Sequence, residues 1–291
     1  MTGALLALAS AACYGVADFT GGLLSRRADF VLVALAGQAG GLAFTVVAAA
    51  LLPAPAPAGG DLAWGALSGA GTGLGMLFLY RGLSRGAMSV VVPVSAVGGV
   101  ALPVLAGVVL LGDRPDPLSW LGITTAVPAL WLVSRNGTGG TASHAARGAS
   151  LDGLVAGAGI ALQYVALAQA GEGSGVWPVA AGRVAALAVI AVIAPAVLRS
   201  PGPRRGSPRG SGLPRPHAAG AAATGLVAAL ALVLYLSAVR EQIVTVAVVL
   251  SSLYPVIPVL LGLTLLHERP APLQTVGLLA AAVAVVLLTA G

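Results

Sequence analysis

The chain has 291 residues, 58% of them hydrophobic and 8% charged, against roughly 45–50% and 25% in an ordinary soluble domain. This shortage of charge excludes a water-soluble globule, whose core would need a charged skin, whereas lipid tails accept Leu, Val and Ala on every side of a helix. The net charge of +6 comes from fifteen arginines and no lysine, and they sit almost entirely between apolar stretches. There, positive charge fixes the orientation of a membrane protein, so no nucleic-acid partner is expected.

A run of about 20 apolar residues spans the hydrocarbon core. Dividing the chain where Arg, Asp, Pro and Gly interrupt such runs predicts ten spans: 3–24, 30–52, 62–83, 88–111, 118–134, 151–170, 176–198, 218–239, 243–266 and 273–290. The first is read as a retained helix and not a leader, because residues 1–8 carry no basic side chain and Ser10, Ala11 and Ala12 before Cys13 make a poor lipoprotein cleavage box. Cys13 is the single cysteine, so neither an internal disulfide nor a thiolate metal site can form. Two connections are longer. Residues 135–150, rich in Gly, Ser, Thr and Ala, and residues 200–216, rich in Pro, Gly and Arg, both read as flexible tethers. The first divides the chain into five spans before it (1–134) and five after it (151–291).

Internal similarity supports that division. Residues 80–134 lie over 235–289 without a gap at a constant offset of 155. Tyr80 meets Tyr235, Arg85 meets Arg240, Pro103 meets Pro258, Gly107 meets Gly262 and Gly122 meets Gly277. The turn Leu-Gly-Asp-Arg-Pro-Asp-Pro-Leu at 111–118 meets Leu-His-Glu-Arg-Pro-Ala-Pro-Leu at 266–273. Chance likeness between apolar helices would match Leu and Val, not a polar turn. Five crossings is an odd number, so the second unit enters from the opposite side. The expected fold is all-α integral membrane, with ten transmembrane helices as two inverted-topology five-helix repeats.

Further positions correspond between the two units. Tyr14-Gly15 and Tyr164-Val165 occupy the first helices, and Ala36-Gly37-Gln38 lies over Ala181-Gly182-Arg183 in the second. A Tyr ends each third helix, and a Ser- and Pro-bearing fourth helix runs into the acidic-Arg-Pro turn. Together these features resemble the ten-helix EamA-type members of the drug/metabolite transporter superfamily. The family more often has Trp-Gly where this chain has Tyr14-Gly15 and Tyr164-Val165, and it has an arginine where the first unit has Gln38. The resemblance implies a secondary carrier moving an amino acid, another metabolite or a drug, commonly outward.

Only two ionisable side chains lie well inside the predicted spans, Asp18 and Arg183. Each costs about 2.5–3.5 kcal/mol at a helix centre on insertion scales, so each should face a cavity or a partner. Arg183 is a candidate to bind a substrate carboxylate. Asp18 is a candidate to exchange a proton with substrate, as the first-helix carboxylate of small multidrug resistance relatives implies. The structural alternative is that they pair with each other or with backbone carbonyls. Tyr14 and Asp18, four residues apart, share a helix face, and Tyr164 with Gln163 takes the matching place in the second unit. Two such tyrosines can line a midplane pocket or anchor at the headgroups. Ser95 with Pro93 and Pro103, and Ser251, Ser252 and Tyr254 with Pro255 and Pro258, mark the fourth helices, where proline frees a carbonyl and kinks or opens the helix. The substrate-binding candidates are therefore Tyr14, Asp18, Ser95, Gln163, Tyr164, Arg183, Ser251 and Tyr254.

The Gly69–Gly75 run suits close helix approach, and no phosphate-binding loop pattern occurs. His144, His217 and His267 lack metal-ligand spacing and are expected in solvated loops. No cofactor is implied, and two lone charges are a poor supply for catalysis, so no enzyme is expected. The odd-numbered connections hold twelve arginines and the even-numbered two, Arg114 and Arg240. Positive charge inside then places both termini outside, whereas the resemblance more often implies termini inside. The expectation is a multi-pass exporter of the bacterial plasma (inner) membrane, acting as monomer or homodimer on a small molecule amid lipid. The alternative is a membrane scaffold or sensor that binds protein or, through 200–216, anionic lipid.

Overall fold

The computed structural model describes the chain apart from residues 1, 53, 55–56, 86–87, 107–116, 135–139, 200–211, 242–249, 252–253, 268, 270 and 291. The described residues form ten α-helices and no strand: α1 (Thr2–Arg27), α2 (Phe30–Leu51), α3 (Gly59–Arg85), α4 (Met88–Ala106), α5 (Pro117–Ser134), α6 (Gly140–Leu167), α7 (Trp177–Arg199), α8 (Arg215–Glu241), α9 (Val256–Thr264) and α10 (Pro272–Ala290). A 3₁₀ turn, Glu172–Ser174, separates α6 from α7. In α1, α2, α3, α7, α8 and the Gly148–Leu167 part of α6, length and hydropathy suffice to cross a membrane. Large apolar side chains on the outer faces of these helices stay uncovered, including Leu51 at 74% and Val192 at 77% exposure. Lipid, not water, is the solvent that tolerates such a surface.

Local chemistry sets several boundaries. Asp29 ends the α1–α2 connection as an N-cap: its carboxylate accepts the Val31 and Leu32 amides at 2.8 and 3.2 Å, satisfying two of the donors that a helix start leaves open. Pro255 precedes α9 and starts it, since a proline tolerates the first turn where its missing N–H is not needed. The predicted ninth span is therefore not one continuous helix over its described part, because a turn at Tyr254–Pro255 interrupts it.

Two expectations need correction. Residues 140–150 are not a tether: α6 begins at Gly140, eleven residues before the predicted 151. Ala142, Ala145, Ala146 and Ala149 are strong helix formers, and they extend the apolar helix outward despite the Gly and Ser around them. His217 is not in a solvated loop but in the first turn of α8, partly buried, with Nδ1 shielded and unpartnered; His144 likewise lies within α6. The turn at 111–118 apart from its last two residues, most of 200–216, the ninth span's start at 243–249, and Ser252 lie outside the described residues.

The centre is built on α3 and α8. The first packs along α6 and α7, the second along α1 and α2, while α4 packs on α6 and α5 on α10. Glycine makes the α3 contacts possible. A Cβ on Gly71 would stand 2.5 Å from the Gly159 carbonyl oxygen of α6, and one on Gly73 would stand 2.9 Å from the Ala186 oxygen of α7; one on Gly69 would overlap the Gly182 backbone. Across α2 and α8, Gly37 and Gly225 meet in the same way. Without a hydrophobic driving force in lipid, such backbone approach supplies the van der Waals contact that holds helices together.

Candidate functional site

The packing of α1, α6 and α8 gathers tyrosines from distant parts of the chain. Tyr14 of α1 stands edge-on to Tyr164 of α6 at 6.1 Å between ring centroids, and 6.1 Å from Tyr254 at the turn before α9. Tyr164 in turn packs edge-on to Tyr235 of α8 at 4.8 Å. These are the separations that aromatic rings favour. Beside them, Gln163 is fully engaged: its Nε2 donates to the Tyr14 hydroxyl at 2.9 Å, its Oε1 accepts from Thr72 at 2.7 Å, and its carbonyl accepts from Ser68 at 2.8 Å. Three helices, α1, α3 and α6, are thereby tied through one amide.

A cavity lies between these groups, lined by Tyr14, Asp18, Thr72, Gln163, Tyr164 and Tyr254 together with the apolar Met76, Leu79 and Ile160. It has room for about one water molecule. Asp18, 3% exposed, contributes its carboxylate one helical turn beyond Tyr14, and among the described residues no cation pairs with it. The structure therefore brings five of the eight candidates, Tyr14, Asp18, Gln163, Tyr164 and Tyr254, to one enclosure.

Arg183 sits apart from that lining. It projects from α7 and is 2% exposed; its Nη1 donates to Gln38 Oε1 of α2 at 2.9 Å. The corresponding second-helix positions of the two units thus contact each other. Asp18 and Arg183 do not form an ion pair with each other, one of the two pairings that the structural alternative allowed, although Tyr14 and Tyr80 lie within electrostatic range of both. Ser95 is buried on α4 and donates to the Val92 carbonyl at 2.8 Å, while Ser251 is buried with its hydroxyl unpartnered; neither lines the tyrosine cavity.

Sequence reasoning passed over three groups. Thr72 hid in a glycine run read only as a packing surface. Tyr80 and Tyr235 served only as markers of the repeat, yet both are 1% exposed in the core. Asp152, two residues inside a predicted span, stood where charge is ordinarily solvated. It is buried and takes Arg81 as an ion-pair partner through both Nε and Nη2, with Arg85 Nη1 at 3.4 Å.

Apolar helices that expose Leu and Val outward and bury isolated charges inward define an integral, multi-pass membrane protein. The chain belongs to the EamA-like transporter family, whose sequence profile matches residues 1–135 and 149–290. That family lies within the drug/metabolite transporter superfamily, and its members are membrane transporters and not enzymes. A solved crystal structure, described only as that of a protein, is similar to this chain with a TM-score of 0.56 at 16% identity, covering 98% of this chain and 95% of the other. At that identity the likeness concerns the fold. No curated protein matches the sequence.

Proposed function

We propose that the protein is a secondary transporter that exports a small organic molecule by alternating access, with its central site beside Tyr14, Asp18, Gln163, Tyr164, Tyr254 and Arg183. The observation that carries this reading is the meeting of corresponding positions. Tyr14 faces Tyr164, and Gln38 bonds Arg183, so residues at matching places in the units 1–134 and 151–291 touch each other in two separate pairs. The exchange of partners, α3 with α6 and α7 against α8 with α1 and α2, follows the same relation. Both features are what two inverted five-helix repeats with a midplane site would produce.

In this structure the tyrosine cavity accepts about one water molecule. Substrate therefore reaches it only when one bundle rocks against the other, which the smooth glycine contacts of α3 and α2 permit. Asp18 supplies the group that exchanges a proton during the cycle, and the arginine-rich odd connections face the cytoplasm. Reconstitution in vesicles with a metabolite panel tests the assignment. Loss of transport in Asp18→Asn and in Arg183→Gln is expected, and unchanged transport in both would remove these residues from the site.

A further inference from the structure

Arg183 is a buried cation whose hydrogen bonding is mostly unspent. Of its three nitrogens only Nη1 has a partner, the Gln38 amide oxygen; Nε and Nη2 are shielded and unpartnered. The distribution matters. Nη1 lies on the Cδ side of the guanidinium, so the two open donors share the opposite edge, where their N–H bonds run parallel. That edge is the one that grips a carboxylate with two simultaneous bonds.

Among the described residues no carboxylate of the chain takes it. Asp152 is engaged by Arg81 and Arg85, Asp29 caps α2, Asp61 accepts the Gly171 amide, and Asp18 lines the tyrosine cavity. A buried charge left this way carries a large desolvation penalty, which a structural arginine would have relieved by pairing. The neutral amide of Gln38 orients the guanidinium without neutralising it, and a carboxylate there would have done both.

The surroundings belong to the moving interface. A Cβ on Gly41 of α2 would stand 3.2 Å from Arg183 Nε and 2.9 Å from the Gly225 carbonyl of α8. The α2 backbone at Gly41 therefore approaches the open edge at Nε with no side chain of its own, the Tyr14 and Tyr80 side chains lie within electrostatic range of the guanidinium, and a withdrawal of α2 from α7 and α8 would loosen this cover. We infer that the transported molecule carries a carboxylate that docks on the Nε–Nη2 edge of Arg183, with Gln38 as the positioning residue. This rests on the carrier reading above and specifies the substrate class for it.

The test uses full-length protein in proteoliposomes and a set of labelled amino acids, hydroxy acids and aromatic acids, each beside its uncharged primary amide, with amines and sugars as controls. Acids are expected to be moved at least tenfold faster than their amides. Gln38→Glu places a carboxylate of the chain on the same guanidinium; it is expected to raise Tm and to reduce acid transport at least tenfold, with Arg183→Lys retaining part of the activity. Equal transport of acids and amides, transport confined to amines or sugars, or Gln38→Glu that transports acids as the parent does would overturn the inference and leave the carrier reading standing. Failure of every probe to move would overturn the carrier reading and this inference together.

Discussion

The two ends of the helical bundle are closed by different chemistry. At the end where α3 stops beside the start of the membrane-crossing part of α6, Gly148–Leu167, Asp152 is gripped by Arg81 and Arg85, Arg81 lies 4.4 Å over the Phe78 ring, and Arg26 Nε donates to the Leu83 carbonyl at 3.1 Å. At the opposite end no ion pair forms among the described residues. Asp61 accepts the Gly171 amide at 2.8 Å, and Arg240 Nη2 donates to the Gly171 and Gly175 carbonyls at 3.4 and 3.1 Å. Arg85 and Arg240 are corresponding residues of the repeat, yet one holds a buried carboxylate and the other a loop backbone. A charge pair withdrawn from water resists separation more than a charge resting on exposed peptide groups. Opening the Asp152 end therefore takes more free energy, and the two ends of one duplicated design have unequal strength.

Removing the stronger closure should have the largest effect. Asp152→Ala removes the carboxylate that Arg81 and Arg85 share and is expected to lower stability by about 3 kcal/mol, the low end of the cost of breaking a buried pair, because the arginines keep 12–14% exposure. Thermal unfolding in detergent measures it. A double variant with Arg81→Ala should lose less than the sum of the two single changes, and strict additivity would mean the pair contributes nothing.

Between the ends, Gly69→Ala forces a methyl onto the Gly182 backbone of α7. Overpacking of this kind costs about 2 kcal/mol; in the proposed rocking cycle α3 and α7 move past each other, so transport should fall further than Tm. Next comes Gln163→Leu, which removes the side-chain amide that bonds Tyr14 and Thr72 and leaves the Ser68 bond to the backbone carbonyl in place; loss of about 1–2 kcal/mol is expected, read by the same unfolding assay. The smallest effect belongs to the weaker end: Arg240→Gln should cost under about 1 kcal/mol, as exposed charge contacts do. If Arg240→Gln proved as damaging as Asp152→Ala, the contrast between the ends would fail.

Much of this architecture is readable from the chain before folding is considered. Asp29 after Arg26-Arg27 marks a helix stop and start, and Asp18 and Arg183 stand out because a charge within an apolar run is rare. Tyr14, Gln163 and Tyr164 could be nominated from their matching places in the two units. Other features resisted. The helix through 140–150 was masked by its Gly and Ser, since composition describes a tether and a helix terminus alike. Thr72 and Asp152 carry no local signal of their roles, because a threonine in a glycine run and an aspartate at a span's end are ordinary. Ser95 and Ser251 share a plausible sequence context with the cavity residues, but the faces of α4 and of the segment before α9 do not turn them into its lining.

By itself, the order of residues determined where helices run and in what solvent, because a backbone in hydrocarbon must satisfy its own N–H and C=O groups and an apolar run has no other way to do so. Tertiary structure decided the partners. Thr72 and Gln163 are 91 positions apart, and Gln38 and Arg183 are 145 apart. Which polar groups meet depends on how helices rotate and slide when glycine lets their backbones touch. The same packing left Arg183 with half a partner and Asp152 with two.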